Sequence, residues 1–272
     1  MKILISADME GVTGVINWKQ VSSGQAEYER FRRLLTQDVN AAVTGALEAG
    51  ADAVTITDGH ADGANILVED LDPRAKLISG SPAPLSMMQG IGRDVDGVFF
   101  IGYHARQGSA NAVLDHTWSD TSVANVWLND VPAGEYTLNA AVAGHFGVPI
   151  LMASGDQTAC AQMQDQLGGI ETAIVKHATG RFSAECLVPG VTYQLIHDAA
   201  QRAVKRLTNK TAPDPYIVQK PVKVTVELVS SDMADKAMLL SGSTRDGRLL
   251  SFLAEDAIQA YLGFRALVGL AG

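Results

Sequence analysis

Three apolar runs of strand length each give way, within a few residues, to side chains that ligate metals. Lys2-Ile3-Leu4-Ile5-Ser6-Ala7 is followed by Asp8-Met9-Glu10-Gly11, and Ala53-Val54-Thr55-Ile56-Thr57 by Asp58-Gly59-His60. Gly97-Val98-Phe99-Phe100-Ile101-Gly102-Tyr103 is followed by His104, and a fourth candidate, Gly134-Glu135, comes just after a hairpin signal at Asn129-Asp130. Continuous apolar runs suit strands covered on both faces, as in a parallel α/β sheet. In such a sheet, functional residues gather beyond the carboxyl ends of the strands. Residues i and i+2 of an extended chain point to the same face, roughly 6.5–7 Å apart. Asp8 and Glu10 are therefore expected side by side, with Met9 turned away. Two anions so close repel each other unless a cation sits beside them. An acidic pair alone is also compatible with plain loop solvation. His60 and His104, each placed after an apolar run, turn the reading toward a metal site built from Asp8, Glu10, His60, His104 and Glu135.

The segments between these runs supply the helices that a parallel sheet needs. Phe31, Leu34, Leu35, Val39, Ala42, Val43, Ala46 and Leu47 recur at helical spacing, and Gly50 provides a stop. With strand 53–57 they complete a right-handed βαβ unit. Further strands are expected near 75–79, 97–103, 149–153 and 171–175, a hairpin over 123–128 and 131–135, and helices near 136–146, 157–168 and 190–207. Residues 209–215, Asn-Lys-Thr-Ala-Pro-Asp-Pro, read as a linker. Beyond it, Val222, Val224, Val226 and Leu228 alternate with polar residues as a half-exposed strand, and a last helix is expected near 254–269. The fold class is thus α/β: a three-layer sandwich around a mostly parallel sheet, with a smaller carboxyl-terminal α+β part. The corresponding division is a catalytic unit over 1–209 and a part over 217–272 that is either integral to it or placed at an oligomer interface.

Composition narrows the function. A formal net charge of −9 with no basic stripe argues against a nucleic-acid partner. No stretch of 18 apolar residues implies a membrane span, and the short amino-terminal run has no signal-peptide pattern. Two cysteines in unrelated contexts, Cys160 and Cys186, fit a reduced, cytoplasmic protein.

The other histidines differ in promise. His145 closes a helical pattern, where an imidazole can cap the last carbonyls. His197 sits mid-helix beside apolar positions and reads as structural, whereas His177 follows a strand on the functional side of the sheet. His116 lies in the polar loop Leu114-Asp115-His116-Thr117-Trp118-Ser119 with no packing reason for an imidazole. It is either a loop residue or an acid, base or charge stabiliser next to the metal site.

Taken together, Ala7-Asp8-Met9-Glu10-Gly11, Asp58-Gly59-His60, Gly102-Tyr103-His104-Ala105-Arg106, His116 and Gly134-Glu135 with Leu138-Asn139-Ala140 resemble the zinc-dependent D-aminopeptidase family. The similarity runs in order from residue 1 to about 190 and more faintly beyond. The resemblance implies metal ligands at Asp8, Glu10, His60, His104 and Glu135, with Asp8 bridging, and a catalytic His116. It also implies release of amino-terminal D-residues, such as D-alanine, from short peptides, inside a ring-shaped homodecamer. Departures from the family pattern fall in loops, including Ser119-Asp120-Thr121, and in the carboxyl-terminal part, regions expected to line the substrate channel.

The chemistry of the set agrees. Five ligands are too many for one tetrahedral zinc with an open position. Shared between two ions about 3.5–4 Å apart, they support metal-activated water and a polarised carbonyl. Carboxylate and imidazole donors without thiolate suit Zn²⁺, with Mn²⁺ or Co²⁺ as substitutes. Two other readings compete: a dinuclear phosphoesterase, for which Arg106, Lys176 and Arg181 are the basic candidates, and a non-catalytic, metal-stabilised binding or assembly module. The apolar residues Leu262, Phe264, Leu267, Val268 and Leu270 are either core or an oligomer interface.

Overall fold

The structure, a computed structural model, describes residues 1–272. The chain opens with β1 (Lys2–Ala7), α1 (Tyr28–Glu48), β2 (Ala53–Asp58), β3 (Ala75–Ile78) and β4 (Gly97–Ile101). It continues through β5 (Val123–Leu128), β6 (Val131–Pro132), α2 (Glu135–His145), β7 (Ile150–Asp156), α3 (Gln157–Gln166), β8 (Glu171–Gly180) and β9 (Ser183–Cys186). It ends with α4 (Pro189–Thr208), β10 (Val222–Leu228), α5 (Ser231–Ala237), β11 (Thr244–Asp246), β12 (Leu249–Ala254) and α6 (Ala257–Ala271).

A seven-stranded sheet runs in the order β3-β2-β1-β4-β7-β8-β9, parallel except for the antiparallel edge strand β9. Alternate residues of its central strands feed two cores. Ile3 and Ile5 of β1, with Phe99 and Ile101 of β4, pack against α1 and α4. Leu4, Val98 and Phe100 face the opposite way, toward α2, α3, α6 and the smaller sheet. Three layers result. The connections leave β1 toward β2 on one side, while β7 joins β4 on the other. This reversal of strand order makes β1 and β4 the switch point where an open α/β sheet forms its crevice.

The second sheet is antiparallel, in the order β11-β12-β10-β5-β6. Its middle strand β10 pairs with β5, so the carboxyl-terminal residues build their sheet around a hairpin from the middle of the chain. The hairpin turns at Asn129 and Asp130, both at positive φ (48° and 65°), as a two-residue connection of this hand requires. Its second strand stops at Pro132, short of the expected residue 135. Pro132 has no N–H to donate, and α2 starts at Glu135 after the extended Gly134. The last ligand candidate therefore projects from a helix start. Two other limits move: β4 ends at Ile101 because Gly102 takes φ +74°, and β8 continues to Gly180. The short elements β9, α5, β11 and β12 are additional to those expected. No helix is long and apolar enough to cross a membrane.

Candidate metal centre

The amino-terminal ligand loop is fastened directly to the β4 end. Asp8 N–H donates to Ile101 O at 2.8 Å and Gly11 N–H to Gly102 O at 2.7 Å. The two backbones approach so closely that a Cβ on Gly11 would stand 1.9 Å from the Tyr103 carbonyl oxygen. One on Gly102 would stand 2.2 Å from that of Asp8, at a φ that disfavours side chains in any case. Within this frame Asp8 and Glu10 point into one crevice and are almost fully buried, while Met9 turns into the α1 core, as strand parity requires.

Glu135 comes from the first turn of α2, where the helix dipole favours a carboxylate. Its Oε1 accepts a 2.7 Å hydrogen bond from Trp118 N–H. The loop 114–118 that brings in Trp118 and His116 is strained: Leu114 and Trp118 both adopt positive φ, 49° and 70°. Bulky residues leave the ordinary regions only where the surroundings compel it, commonly at functional sites.

The five residues converge. His60 Nδ1 lies 3.3 Å from Asp8 Oδ1 and 3.2 Å from Glu10 Oε2. His104 Nε2 lies 3.3 Å from Asp8 Oδ2 and 3.2 Å from Glu135 Oε1. His116 Nε2 is 3.5 Å from the same Glu135 oxygen, and its ring stacks on that of His104 at 3.9 Å. Ligand atoms of His104, His116 and Glu135 lie within 4.8 Å of one another, as do those of Asp8, Glu10 and His104.

Each imidazole is oriented through its other nitrogen. His60 Nε2 faces Val21 O at 2.8 Å, His104 Nδ1 faces Ala105 O at 3.0 Å, and His116 Nδ1 faces Leu114 O at 2.8 Å. A carbonyl only accepts, so those nitrogens carry the proton and the nitrogens toward the carboxylates are left to bind a cation.

Three atoms at the centre are buried without a hydrogen-bond partner: Asp8 Oδ2, Glu10 Oε2 and His104 Nε2. Such groups are costly unless something absent from the chain satisfies them. The 3.2–3.3 Å separations around His60 and His104 exceed the length of a charge-assisted hydrogen bond, about 2.7–2.9 Å. They match the spacing of about 3.3–3.5 Å between ligand atoms held 2.0–2.2 Å from a tetrahedral ion. The residues fit a metal. Within the chain itself, burial opposes charge on Asp8, His60, His104 and Glu135, but mutual attraction prevails. The His104 and His60 imidazoles hold the Asp8 carboxyl well below its usual range. Glu10 and Asp8 raise His60, and Glu135 and Asp8 raise His104, well above the ordinary imidazole value.

This centre floors a cavity of about 820 Å³, within the size range of small-molecule sites. Asp8, Glu10, His60, His116 and Glu135 line it, together with Trp18, Trp118, Met87 and residues of α6. A peptidase M55 D-aminopeptidase family model matches residues 1–266. The chain belongs to the D-aminopeptidase family. A D-aminopeptidase of Bacillus subtilis (strain 168) is 33% identical over 273 residues, spanning all of this chain and 98% of that protein. Among solved structures, the Zn-dependent D-aminopeptidase DppA from Bacillus subtilis, a self-compartmentalizing protease, superposes with a TM-score of 0.96 at 33% identity. The match covers all of this chain and 98% of that one. By membership this chain is an enzyme, a peptide hydrolase.

The remaining chemistry of the aminopeptidase is structural, and part of it escapes sequence reasoning. Lys176, a phosphate-binding candidate by sequence, is wholly buried, and its ammonium donates to the carbonyls of Glu10, Val12 and Val15 at 2.6, 3.0 and 2.8 Å. Burial pushes it down to about 8, with Asp156 pulling the other way. From the α1 side, Asp38 grips the same loop, accepting from Thr13 N–H and Thr13 Oγ1 at 2.9 Å. Burial pushes its carboxyl up to about 6 against those bonds. Asp58 does not touch His60's ring; it accepts from Asn65 and Ile66 amides at 2.6 and 2.7 Å and closes the loop that carries His60. Arg181 pairs with Asp115 at 3.2 Å, and neither it, Arg106 nor Lys176 lines the cavity. The phosphoesterase reading thus loses the three basic groups it was given, and the one lysine or arginine on the cavity wall is Arg265 of α6. His177 is exposed on β8, His197 bonds Glu48 and Asp198, and His145 sits 3.8 Å from Asp256 without capping its helix.

Proposed function

We propose that this chain is a dinuclear zinc aminopeptidase that removes the amino-terminal residue, a D-amino acid such as D-alanine, from short peptides. The observation that carries the metal assignment is the trio of buried, unpartnered ligand atoms in the crevice, Asp8 Oδ2, Glu10 Oε2 and His104 Nε2. The two oxygens of Asp8 address different imidazoles, Oδ1 that of His60 and Oδ2 that of His104. This division supports one site of Asp8, Glu10 and His60 and another of Asp8, His104 and Glu135. Zinc bound there supplies an activated water and a polarised scissile carbonyl, and Mn²⁺ or Co²⁺ suit the same donors.

The chain's own residues do the rest. Carboxylates lining the cavity attract the substrate's free α-ammonium, which favours the bond next to the terminus. His116, with Nδ1–H committed to Leu114 O, offers Nε2 to the reacting centre, where it exchanges a proton or stabilises the oxyanion. The near-complete burial of Asp8, Glu10, His104 and Glu135 limits bulk water at the centre. D-stereospecificity rests on the family and on the Bacillus subtilis relatives.

The self-compartmentalizing neighbour supports a closed homo-oligomer, a homodecamer on the family pattern, that encloses the sites. Leu262 and Leu270 are exposed on α6 and available to it, whereas Phe264 and Leu267 are spent in this chain's own core and Val268 sits between that core and the cavity wall. Two free cysteines accord with a cytoplasmic setting. The test combines metal analysis, light scattering and a panel of dipeptides with D- or L-amino termini. About two ions per chain, a large assembly and turnover confined to D-termini are expected. One ion, or a preference for L-termini, would overturn the corresponding part.

A further inference from the structure

One cation breaks the acidity of the cavity. Five carboxylates line it, Asp8, Glu10, Asp62, Asp120 and Glu135, and Arg265 is the only lysine or arginine among the lining residues. Arg265 comes from α6, and Val268 and Gly269 line the same wall, so one face of the helix, at i, i+3 and i+4, is turned to the crevice.

Its guanidinium is fixed in place. Nη1 donates to the carbonyls of Ala83 and Pro84, and the group lies over the rings of Trp118 and Tyr261, each 5.9 Å from its centroid. Trp118 is the residue whose backbone N–H holds Glu135, so the cation over its ring is registered against the metal centre through one residue. No carboxylate pairs with Arg265, and both of its hydrogen bonds leave from Nη1. An arginine has five N–H donors, and the Nε–Nη2 edge is the fork that takes a carboxylate in a bidentate pair. That edge is open here.

We infer that Arg265 binds the carboxyl-terminal carboxylate of a short peptide whose amino terminus lies at the metal centre. The inference rests on the peptidase reading above and adds a specificity-determining residue: Arg265 as the group that reads the free carboxylate of the short peptide. A chain spans about 3.3–3.6 Å per residue, so a fixed anchor selects for length as well as charge. The acidic floor draws the ammonium end, Arg265 draws the other, and the peptide enters in one direction.

The test compares D-alanyl-D-alanine with its carboxyl-terminal amide, in wild type, Arg265→Met and Arg265→Lys, by two readouts. In turnover, wild type is expected to prefer the acid in kcat/KM by about 10–100-fold, the usual worth of hydrogen bonds to a charged group. The acid-to-amide ratio should collapse toward one in Arg265→Met and recover in part in Arg265→Lys. Calorimetric binding to the metal-free protein, where nothing is hydrolysed, should show the same Arg265-dependent preference. Equal use of acid and amide by wild type would overturn the assignment, as would a proportional loss of both in Arg265→Met, the mark of a mere prop for residues 83–84. Absence of turnover with the binding preference intact would overturn the peptidase reading and leave the carboxylate anchor standing.

Discussion

Lys176→Met tests whether the ligand loop is positioned from beneath. Methionine has a similar length and no charge, so the change removes three hydrogen bonds to Glu10, Val12 and Val15 while nearly filling the space. Val12 O keeps its bond from Val15 N–H, so two carbonyls are left unsatisfied; at about 1–3 kcal/mol each they cost about 4 kcal/mol in gross terms. Against this stands the relief of no longer burying an ammonium. The fall from 10.5 to about 8 values that relief at roughly 3 kcal/mol. A net destabilisation of about 1 kcal/mol remains. Urea unfolding of the metal-free protein measures it, with the exposed Lys19→Met as a control. The loop also sets Glu10, so zinc titration of Lys176→Met should show one of two sites weakened by about 10–100-fold, the range for groups that hold a ligand in place. A variant with wild-type unfolding and two unaltered zinc affinities would refute the reasoning, because the carbonyls would then have found water and the loop would not need its cation.

Three further outcomes are expected. His116→Ala should keep both ions and a similar KM while kcat falls by about 10²–10⁴; loss of an ion would instead make His116, 3.5 Å from Glu135, a ligand. His60→Ala or His104→Ala should weaken metal binding far more than Asp58→Ala, whose carboxylate meets only backbone amides and Asn65; equal losses by competition with a chelator would contradict this. Asp38 has a folded value of about 6 against 3.8 unfolded, so its contribution is fully present below 3.8 and lost as pH rises through 6. Metal-free Asp38→Asn should therefore gain on wild type by up to about 3 kcal/mol between pH 4 and pH 7, and a pH-independent gap would count against a strained carboxylate there.

What the sequence made legible was whatever rested on periodicity. Apolar runs located β1, β2 and β4, strand parity put Asp8 and Glu10 on one face with Met9 behind them, and helical spacing located α1 and α4. His116 stood out because its loop offered it no packing. Less was visible where burial contradicts residue type. Lysine is almost never wholly buried, so Lys176 after Val175 read as a basic candidate for phosphate rather than a clamp. Asp38 lay unnoticed in an amphipathic helix, and Arg265 in an apolar one. β11 and β12 are short and depend on pairing, β12 with β10 and β11 with β12, more than on any pattern of their own. Glu135 was found as a ligand candidate but placed on a strand, because a hairpin signal says where a turn is and not how soon the second strand ends.

The metal donors are scattered along the chain from residue 8 to residue 135, on four separate segments. Two ions shared among these proposed donors would act as a set of cross-links that closes long loops, one of them joining Asp8 to His60 across 52 positions. Closing such loops removes freedom chiefly from the unfolded chain. Zinc should accordingly resist unfolding of the whole sheet rather than stiffen one loop. It also sets an order of events during synthesis: the full donor set cannot exist until α2 has begun, so capture of metal marks a nascent chain whose β1, β2 and β4 are already side by side.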